Sequence, residues 1–287
     1  MLGADPFLAC RDRLRGVAYG LLGDLGEADD VVQDVWLRWQ DADREAVRNA
    51  EAFLVTTATR LAIDRLRSAR ARRETYVGTW LPTPLVIDED DPGETAIEAE
   101  RLDLALLCAL ERLDPVERAV LVLRDAFDLD YAEIADALDV SPSNARQIAK
   151  RARERVGDAA RSRPVDRTRH REIADGFLRA AHLGDVDGIK QLLAADAVQY
   201  SDGGGRVQAA RKPIHGAALI AKFYANVKRT GHFPLDLVPT SVTVNGAPGV
   251  RLVSRSRGPY AITAVEIADD RVQAVRNFLN PDRFAEL

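Results

Sequence analysis

Apolar residues recur at three- and four-residue steps through residues 6–160, and this spacing predicts a series of amphipathic helices. Asp114 suits an N-cap, Pro115 suits a first helical turn, and Glu117 completes a capping box, so one helix is expected to begin there. The other helices predicted in this half of the chain cover residues 7–22, 28–40, 52–73, 96–113 and 131–138.

Beyond residue 168 the pattern predicts two helices within residues 169–195, and then strands interrupted by one helix over residues 216–229. Asn245-Gly246 and Asp269-Asp270 suit hairpin turns between strands. Helices followed by a run of antiparallel strands predict an α+β domain. The predicted strands are residues 197–203, 207–216, 235–246, 248–257, 260–269 and 271–280.

The stretch after residue 130 is typical of a helix-turn-helix. Residues 131–138 form the first predicted helix, and Asp139 and Val140 make the turn. Asp139 would occupy a left-handed backbone conformation, which Asp tolerates better than most residues. Ser141 can cap the second helix, with Pro142 at its first position, where a missing N–H costs nothing.

The second of these helices has a basic outward face. Between residues 143 and 163 there are seven basic and two acidic residues, in a chain whose net charge is −5. Arg and Gln suit base edges and Lys suits phosphates, so this helix is expected to enter the DNA major groove. The alternative is a helical hairpin with a solvated basic face; the local charge excess favours nucleic acid.

Two earlier helices also carry biased charge. Asp29, Asp30 and Asp34 lie on the outward face of predicted helix 28–40, where they either stabilise the helix dipole or form a docking face for a protein. Residues 60–73 hold six arginines and one acid. Adjacent like charges repel on a solvated helix, so this bias indicates phosphate binding.

Residues 74–100 have the composition of a linker. Pro82 and Pro84 disfavour helix, so the segment WLPTP is expected to be extended. The aromatic side chain of Trp80 suggests that WLPTP docks on another part of the protein. Seven acids between residues 88 and 100 predict a mobile run, which either mimics nucleic acid or only solubilises a tether.

Length and composition limit the classes of protein. A chain of 287 residues, 46% hydrophobic, is long enough for two or three domains with their own cores. No apolar run approaches the eighteen or so residues of a membrane span, and the N-terminus is too charged for a signal peptide. Cys10 and Cys108 are expected to be reduced thiols in a cytosolic protein. Because the chain is acidic overall, DNA contacts must come from local patches helped by a partner.

The helical half resembles the extracytoplasmic-function sigma factors of bacterial RNA polymerase over residues 6–160. The resemblance rests on GDLGEADDVVQDVWLRWQ, EAFLVTTATRLAIDRLRSARARR and ALERLDPVERAVLVLRDAFDLDYAEIADALDVSPSNARQIAKRARERV, which occur in the family's order. It implies a bacterial sigma factor that binds core RNA polymerase, through the β′ clamp helices and the flap of the β subunit, and that reads promoter DNA.

The resemblance assigns roles to particular residues. Residues 41–73 match the part that melts and reads the −10 element, and the helix-turn-helix matches the domain that reads the −35 element. The implied core-polymerase contacts are Asp30, Gln33, Asp34 and Trp36. The implied −10 residues are Arg60, Asp64, Arg65 and Arg67. The implied −35 residues are Ser143, Asn144, Arg146, Gln147, Lys150 and Arg151.

Residues 168–287 resemble the SnoaL-like polyketide cyclases of the NTF2-like cone fold. WLPTP, DGGGRV (residues 202–207) and NPDRF (residues 280–284) are similar to the WLPEP, DGGGK and NPDK-like motifs of sigma factors that carry a fused SnoaL-like extension. Thr83 stands at the Glu position and Arg206 at the Lys position. The residues that this resemblance assigns to regulation between domains are Trp80, Leu81, Pro82, Pro84, Asp202, Gly203, Gly204, Gly205, Arg206, Asn280, Pro281 and Asp282.

This resemblance implies regulation in cis, with the extension replacing a separate anti-sigma protein, and it leaves open a small-molecule ligand. Asp202, His215 and Tyr200 are the available candidates for catalysis, but an Asp beside three glycines is more often a turn residue. No enzyme activity, cofactor or metal is expected. The alternatives are a fused ligand sensor and a helix-turn-helix repressor that binds operators without polymerase.

The predicted architecture is multidomain: two all-α sigma domains, the second with the helix-turn-helix, and a C-terminal α+β domain of the SnoaL/NTF2-like cone fold. The predicted domain boundaries are residues 1–73 for sigma region 2, 74–95 for the linker, 96–161 for sigma region 4, and 168–287 for the regulatory domain.

Overall fold

The computed structural model of this chain describes residues 5–74, 76–88, 102–157, 166–231, 234 and 236–283. These residues divide between two units. The first unit lies within Met1–Glu74 and Glu94–Ser162, and the second within Thr75–Gly93 and Arg163–Leu287. The predicted linker therefore belongs largely with the C-terminal part of the chain.

The first unit is helical, as its apolar periodicity predicts. Leu14, Val17 and Val35 are fully buried at its centre. Gly23 ends the first helix in a left-handed conformation, and the side chain of Asp24 caps the next. The helices are α1 (Pro6–Leu22), α2 (Leu25–Asp41), α3 (Ala50–Glu74), α4 (Leu104–Leu110), α5 (Pro115–Leu121), α6 (Tyr131–Leu138) and α7 (Pro142–Val156), with a π-helical turn at Val122–Ala126.

The helix-turn-helix is formed by α6 and α7, with the predicted boundaries. Asp139 adopts the left-handed conformation, with φ 56° and ψ 48°, and the side chain of Ser141 accepts a hydrogen bond from the backbone N–H of Asn144. The predicted capping box between Asp114 and Glu117 is also present. Local turn and capping chemistry therefore determines this motif.

The described part of the predicted helix over residues 96–113 is shorter than expected. In the described residues it is the short helix α4, which begins after the N-cap Asp103; residues 96–101 lie outside the described part. Asp103 accepts a hydrogen bond from the backbone N–H of Leu106 at 2.6 Å. This cap offers the backbone an alternative partner and starts the helix later than the apolar pattern alone indicates.

The two helical blocks before and after the linker pack against each other within the first unit. Arg118, 2% exposed, donates from Nε to the backbone oxygen of Gly20 at 3.1 Å and pairs with Glu111. A Cβ at Gly20 would lie 2.8 Å from Val122 Cγ1, so glycine permits the close approach. The blocks form a continuous buried core rather than two separate bodies.

The second unit is α+β, as predicted. Its core is formed where helices pack on one face of a sheet, with Phe177, Val265 and Val275 fully buried. Its elements are β1 (Val86–Asp88), α8 (Arg167–Leu183), α9 (Val186–Leu192), β2 (Leu193–Asp202), β3 (Ile214–His215), α10 (Ala217–Thr230), β4 (Leu237–Val244), β5 (Ala247–Ser254), β6 (Gly258–Ala268) and β7 (Arg271–Phe278), followed by a 3₁₀ turn at Pro281–Arg283.

The sheet has the order β1-β4-β5-β6-β7-β2-β3. The predicted run of antiparallel strands is present as β4–β7. β2 and β7 pair in parallel, with Tyr200 opposite Arg276, and the sequence did not indicate this pairing. The predicted strand over residues 207–216 is reduced to β3, and the predicted second helix ends at Leu192. The chain returns through α10 and the meander β4–β7 before β7 reaches β2, and this long connection permits parallel pairing.

The two predicted hairpin turns are present. Asn245 and Gly246 both have positive φ between β4 and β5, as do Asp269 and Asp270 between β6 and β7. Positive φ at both central positions matches the twist of the flanking strands.

The linker adds a strand to this sheet, which the sequence did not indicate. β1 pairs with β4 in antiparallel register, with Val86 opposite Val244. Just before it, Asn245 and Leu85 exchange two hydrogen bonds. The backbone N–H of Leu85 donates to Asn245 Oδ1 at 2.9 Å, and the backbone N–H of Asn245 donates to the oxygen of Leu85 at 2.9 Å.

We predict that Asn245→Gly loosens the linker strand. Glycine keeps the positive φ but leaves the buried N–H of Leu85 without its acceptor, which costs about 1–3 kcal/mol. Amide hydrogen exchange should show faster exchange at Leu85. Asp269→Gly, a turn substitution on an exposed residue, is the matched control and should leave Leu85 unchanged. Equal protection of Leu85 in both variants would contradict this role of Asn245.

Candidate functional site

The predicted −35 residues all lie on the exposed side of α7. Ser143, Asn144, Gln147, Lys150 and Arg151 are exposed, while Ala145, Ile148, Ala149 and Ala152 face the core. The guanidinium of Arg146 lies 5.3 Å from the centre of the Tyr131 ring, so a cation–π contact orients it from α6. This surface presents Arg, Lys, Gln and Asn together, which suits a groove of DNA.

Two basic residues of α7 form ion pairs within the first unit. Arg153 forms a two-nitrogen ion pair with Asp125, and Arg155 donates to Glu117 at 2.5 Å. The hydrogen bonds to Asp125 raise the pKa of Arg153, despite the opposing effect of burial. The basic face available for DNA is therefore narrower than the sequence pattern suggests.

The predicted −10 arginines on α3 also form hydrogen bonds or ion pairs within the first unit. Arg60 donates to the backbone oxygen of Ala137 at 2.9 Å and to that of Asp136 at 3.2 Å, both on α6. Arg67 pairs with Asp64 one turn earlier at 3.1 Å. α3 therefore lies against the first helix of the helix-turn-helix.

Arg65 joins the predicted −10 helix to the predicted polymerase-docking helix. Its guanidinium donates to Asp30 at 3.1 Å and to Asp34 at 2.7 Å, both on α2. Partial burial alone would lower the pKa of Arg65, but the hydrogen bonds that it donates to Asp34 and Asp30 outweigh this effect and raise the pKa above its usual value. One arginine thus pairs with two of the four predicted docking residues, and the cluster of the three side chains keeps a net negative charge.

The other two docking residues differ in exposure. Gln33 is exposed on α2. Trp36 is half-buried and its ring lies 4.8 Å from that of Phe7, in a tilted arrangement. Leu37, beside it, is 55% exposed, so α2 presents an apolar edge next to its acidic one.

A second constellation lies in the second unit, where the buried carboxylate of Asp202 holds the linker. Asp202, 1% exposed, accepts hydrogen bonds from the hydroxyl of Tyr76 at 2.5 Å and from the backbone N–H of Leu81 at 3.0 Å. The backbone N–H of Gly204 donates to the same carboxylate at 3.1 Å. We call Asp202, Tyr76, Leu81, Gly204 and Asn280 the linker cradle.

The ionisation of these groups follows their burial. Burial raises the pKa of the Asp202 carboxyl, although the hydrogen bonds from Tyr76, Leu81 and Gly204 oppose the rise. Burial and donation to Asp202 together raise the pKa of Tyr76 to about 12. The phenol therefore remains a proton donor to the carboxylate at neutral pH.

The three glycines of DGGGRV make room for the linker. Gly204 and Gly205 have positive φ, of 58° and 72°. A Cβ at Gly204 would collide with the side-chain amide of Asn280 and lie 3.0 Å from the Tyr76 hydroxyl. Gly203 does not have positive φ; its constraint is the backbone oxygen of Val207, 2.7 Å from where its Cβ would be.

The NPDR segment closes the cradle from the other side. The Asn280 side-chain amide donates to the Tyr76 hydroxyl at 3.1 Å, and its backbone N–H donates to the oxygen of Asp202 at 2.9 Å. Asp282 accepts from Arg206 Nε at 2.9 Å, joining the two motifs. Pro281 begins the 3₁₀ turn that carries Asp282.

WLPTP docks on Arg283, which directly follows Asp282. Arg283 donates to the Thr83 hydroxyl at 3.1 Å, and its guanidinium lies 4.9 Å from the centre of the Trp80 ring. Leu81, Pro82 and Pro84 are buried. Arg206 pairs with Asp282 instead of reaching the linker. Phe284 of the NPDRF motif lies outside the described residues.

Sequence reasoning missed Tyr76, Arg283 and Asn245. Tyr76 precedes WLPTP and Arg283 follows Asp282, so both adjoin motifs that were singled out. Asn245 was assigned only to a turn, although it is fully buried. Nothing in a single sequence pairs residues about 120 to 200 positions apart.

The three candidates for catalysis have different surroundings. Asp202 is engaged by the linker, and the Tyr200 ring faces the guanidinium of Arg276 at 5.2 Å. His215 is exposed on β3. Within the described ranges, no three His, Cys, Asp or Glu side chains cluster as a metal site, and no helix has the length and apolarity to cross a bilayer.

Comparison with known proteins is consistent with this geometry. The family model described as Sigma-70 region 2 matches residues 7–72, and that described as Sigma-70, region 4 matches residues 103–156. The chain is 36% identical to "ECF RNA polymerase sigma factor SigJ" of Mycobacterium tuberculosis, over 98% of this chain and 92% of that protein. It is 32% identical to "Probable ECF RNA polymerase sigma factor SigI" of the same species, over 66% of this chain and 67% of that one.

A solved structure has the same architecture from end to end. The crystal structure of the Mycobacterium tuberculosis extracytoplasmic function sigma factor SigJ superposes with a TM-score of 0.78 at 34% identity, covering 97% of each chain. The fold predicted from the sequence, helical domains followed by an α+β domain, is confirmed.

We predict that Gly204→Ala destabilises the second unit more than Gly258→Ala. Both glycines have positive φ, so each substitution costs roughly 1–2 kcal/mol of backbone strain. A Cβ at Gly258 meets nothing within 4 Å, whereas one at Gly204 displaces Asn280 and Tyr76. Urea unfolding should therefore show an additional loss of about 1–3 kcal/mol for Gly204→Ala. Equal losses would mean that the cradle does not need this glycine.

Proposed function

This chain belongs to the ECF sigma factors of RNA polymerase, and from that membership we propose that its C-terminal unit controls its sigma activity in cis by holding the linker. As a sigma factor it serves promoter-directed transcription initiation with core RNA polymerase. The control of sigma activity by the C-terminal unit is the part that we propose. It is supported above all by the carboxylate of Asp202, which binds the linker at Tyr76 and Leu81.

We assign the parts as follows. Residues 1–73 bind core polymerase and the −10 element, and residues 96–161 bind the −35 element. Residues 74–95 connect them, and residues 168–287 regulate. The proposed contacts with polymerase, with each promoter element and between domains are the sets given from the resemblance above. Exposure of the α7 residues supports the −35 assignment.

The closed state of the first unit supports control by release. The −10 and −35 elements lie about 25 base pairs apart, or about 85 Å of duplex. In this structure Arg60 of α3 is bonded to the backbone of α6, so the two reading surfaces belong to neighbouring helices. A promoter complex therefore requires the two blocks to separate. The linker joins the two blocks covalently. The C-terminal unit holds the linker and therefore affects their separation.

Two rival functions are less well supported. A repressor that acts without polymerase does not need the acidic and apolar edge of α2, formed by Asp30, Asp34 and Leu37. An enzyme in the second unit would need an available catalytic group, and the buried carboxylate of Asp202 is engaged by the linker. The proposed regulatory function agrees with the observed hydrogen bonds between Asp202 and the linker.

One prediction of this proposal concerns binding to core polymerase. Asp30→Lys combined with Asp34→Lys reverses the charge of the proposed docking face and places two lysines beside Arg65. It should reduce binding to core polymerase by at least about tenfold, the effect of losing about 1.4 kcal/mol. Asp187→Lys combined with Asp196→Lys makes the same charge change at exposed positions of the second unit and should bind normally. Normal holoenzyme formation by the first variant would exclude this docking face.

Another prediction tests the control of sigma activity in cis. Asp202→Asn replaces the carboxylate that accepts hydrogen bonds from Tyr76 and Leu81 with a neutral amide of nearly the same volume. In run-off transcription with core polymerase, the promoter output of this variant should differ from that of wild type by at least about fivefold, corresponding to about 1 kcal/mol. Asp269→Asn is the control and should transcribe normally. If Asp202→Asn also transcribes normally while hydrogen exchange shows a loosened linker, the linker is held without regulating the protein.

A further inference from the structure

The ring of Tyr131 lies beside the exposed face of α7, although Tyr131 is not among the assigned −35 residues. It is half-buried at the first position of α6, directly after the N-cap Asp130, whose capping box fixes the start of that helix. Two guanidinium groups lie near the centre of the ring, that of Arg124 at 5.2 Å and that of Arg146 at 5.3 Å. One aromatic side chain therefore joins an arginine before the helix-turn-helix to an arginine of the proposed DNA surface.

Neighbouring groups hold the ring of Tyr131 in place. Arg124, itself half-buried, donates from Nη1 to the backbone oxygen of Leu129 at 2.7 Å. Arg153 is fixed by its ion pair with Asp125, and its Nη1 lies 3.5 Å from the Tyr131 hydroxyl. Because these neighbours are anchored to the backbone or to a carboxylate, the ring has a defined position relative to α7.

The contact between the ring and Arg146 leaves the hydrogen-bond donors of this arginine available. Arg146 is exposed, and within the part of the chain that the structure describes its guanidinium enters no hydrogen bond or ion pair. A cation–π contact uses the charge of the guanidinium and needs none of its five N–H groups as a hydrogen-bond donor. Arg65, by contrast, donates to two carboxylates. The ring thus restrains Arg146 without consuming the groups that would bind a base.

Reading a base demands more of an arginine than binding a phosphate. A bidentate contact requires the guanidinium plane to align with two acceptor atoms of the base, as with O6 and N7 of guanine. A phosphate contact positions the protein but carries no sequence information directly. Ordering a long, exposed side chain on binding has an entropic cost, and a side chain that is restrained beforehand loses less. The ring should therefore affect base preference at one position more than the overall affinity for DNA.

We propose that Tyr131 is a positioning residue for promoter recognition, whose ring holds the guanidinium of Arg146 in the orientation that reads one base pair of the −35 element. The proposal rests on the proposed binding of the −35 element by α7. It assigns to Tyr131 an action through Arg146 and no contact with DNA of its own. Removal of the ring should therefore act only where Arg146 acts.

The test measures base preference in the −35 element. Holoenzyme formed from the full-length chain and core RNA polymerase first selects promoter sequences from a randomised DNA pool. Each base pair of the selected −35 element is then changed in turn, and the affinity of the holoenzyme is measured by fluorescence anisotropy. Arg146→Ala should lower the preference at one position by at least about fivefold, which identifies the base pair that this arginine reads.

Two substitutions of Tyr131 separate the ring from the hydroxyl. Tyr131→Leu removes the ring and should lower the preference at that same position about two- to fivefold, the effect of one exposed cation–π contact. Tyr131→Phe keeps the ring and should retain the preference of wild type. Tyr131→Leu combined with Arg146→Ala should be no worse than Arg146→Ala alone, because the ring acts through that arginine.

Lys150→Ala provides the matched control on the exposed face of the same helix. Its effect on affinity and that of Tyr131→Leu should multiply in the combined variant, as for independent sites. The salt dependence supplies a second control. A lost phosphate contact would reduce the slope of log affinity against log salt by about 0.9, whereas Tyr131→Leu should leave this slope unchanged.

Several results would overturn the positioning role. These are an unchanged preference in Tyr131→Leu, an equal loss at every position, a loss in Tyr131→Phe as large as in Tyr131→Leu, or a reduced salt slope, which would make Tyr131 a phosphate contact. The −35 assignment fails separately. If no −35 sequence is selected, or if Arg146→Ala keeps every preference, the assignment on which this proposal rests is wrong and the proposal falls with it.

A second variant keeps the test decisive if the first does not fold. Should circular dichroism show that Tyr131→Leu is not folded as wild type is, Tyr131→Met takes its place, since methionine is unbranched, adaptable and without a ring. The same loss at the position read by Arg146 is then expected. Full preference at that position in Tyr131→Met would overturn the proposal.

Discussion

Distance along DNA is the constraint on which the rest of this structure depends. A sigma factor must place one surface at −10 and another at −35, about 85 Å apart on the duplex. Here α3 and α6 lie in contact, held by Arg60, while Arg118 joins the blocks again at Gly20 through a buried hydrogen bond. The arginines proposed to read the −10 region are paired internally. We propose that the free chain is closed in this way, and that binding to polymerase and promoter supplies the free energy of opening.

The linker connects that requirement with the second unit. Its residues 76–88 contribute a strand to the sheet and a tyrosine to the Asp202 carboxylate, so the segment between the two reading blocks is structurally part of the C-terminal unit. Asn280 holds Tyr76 from the loop that follows β7.

Features set by local chemistry could be predicted from the sequence. Asp139 in the left-handed region, Ser141 as a cap and the Asn245-Gly246 turn each follow from neighbouring residues, and the family motifs identified the helical half and the α+β half. Features that join distant segments could not be predicted. These include the parallel pairing of β2 with β7, the strand from the linker, and the capture of Tyr76 by Asp202. Intramolecular pairing of Arg60 and Arg65 was also hidden, because an arginine-rich helix looks the same whether its partners are phosphates, carboxylates or backbone oxygens.

The most direct test is a distance measured by energy transfer between dyes on α3 and α6. Ser68→Cys and Asp136→Cys provide exposed attachment sites, with Cys10 and Cys108 changed to serine. The free protein should give the short distance of helices in contact. The initiation complex with core polymerase and promoter DNA should give a distance of several tens of ångströms, approaching the roughly 85 Å between the elements. An active complex that retains the short distance would contradict the account.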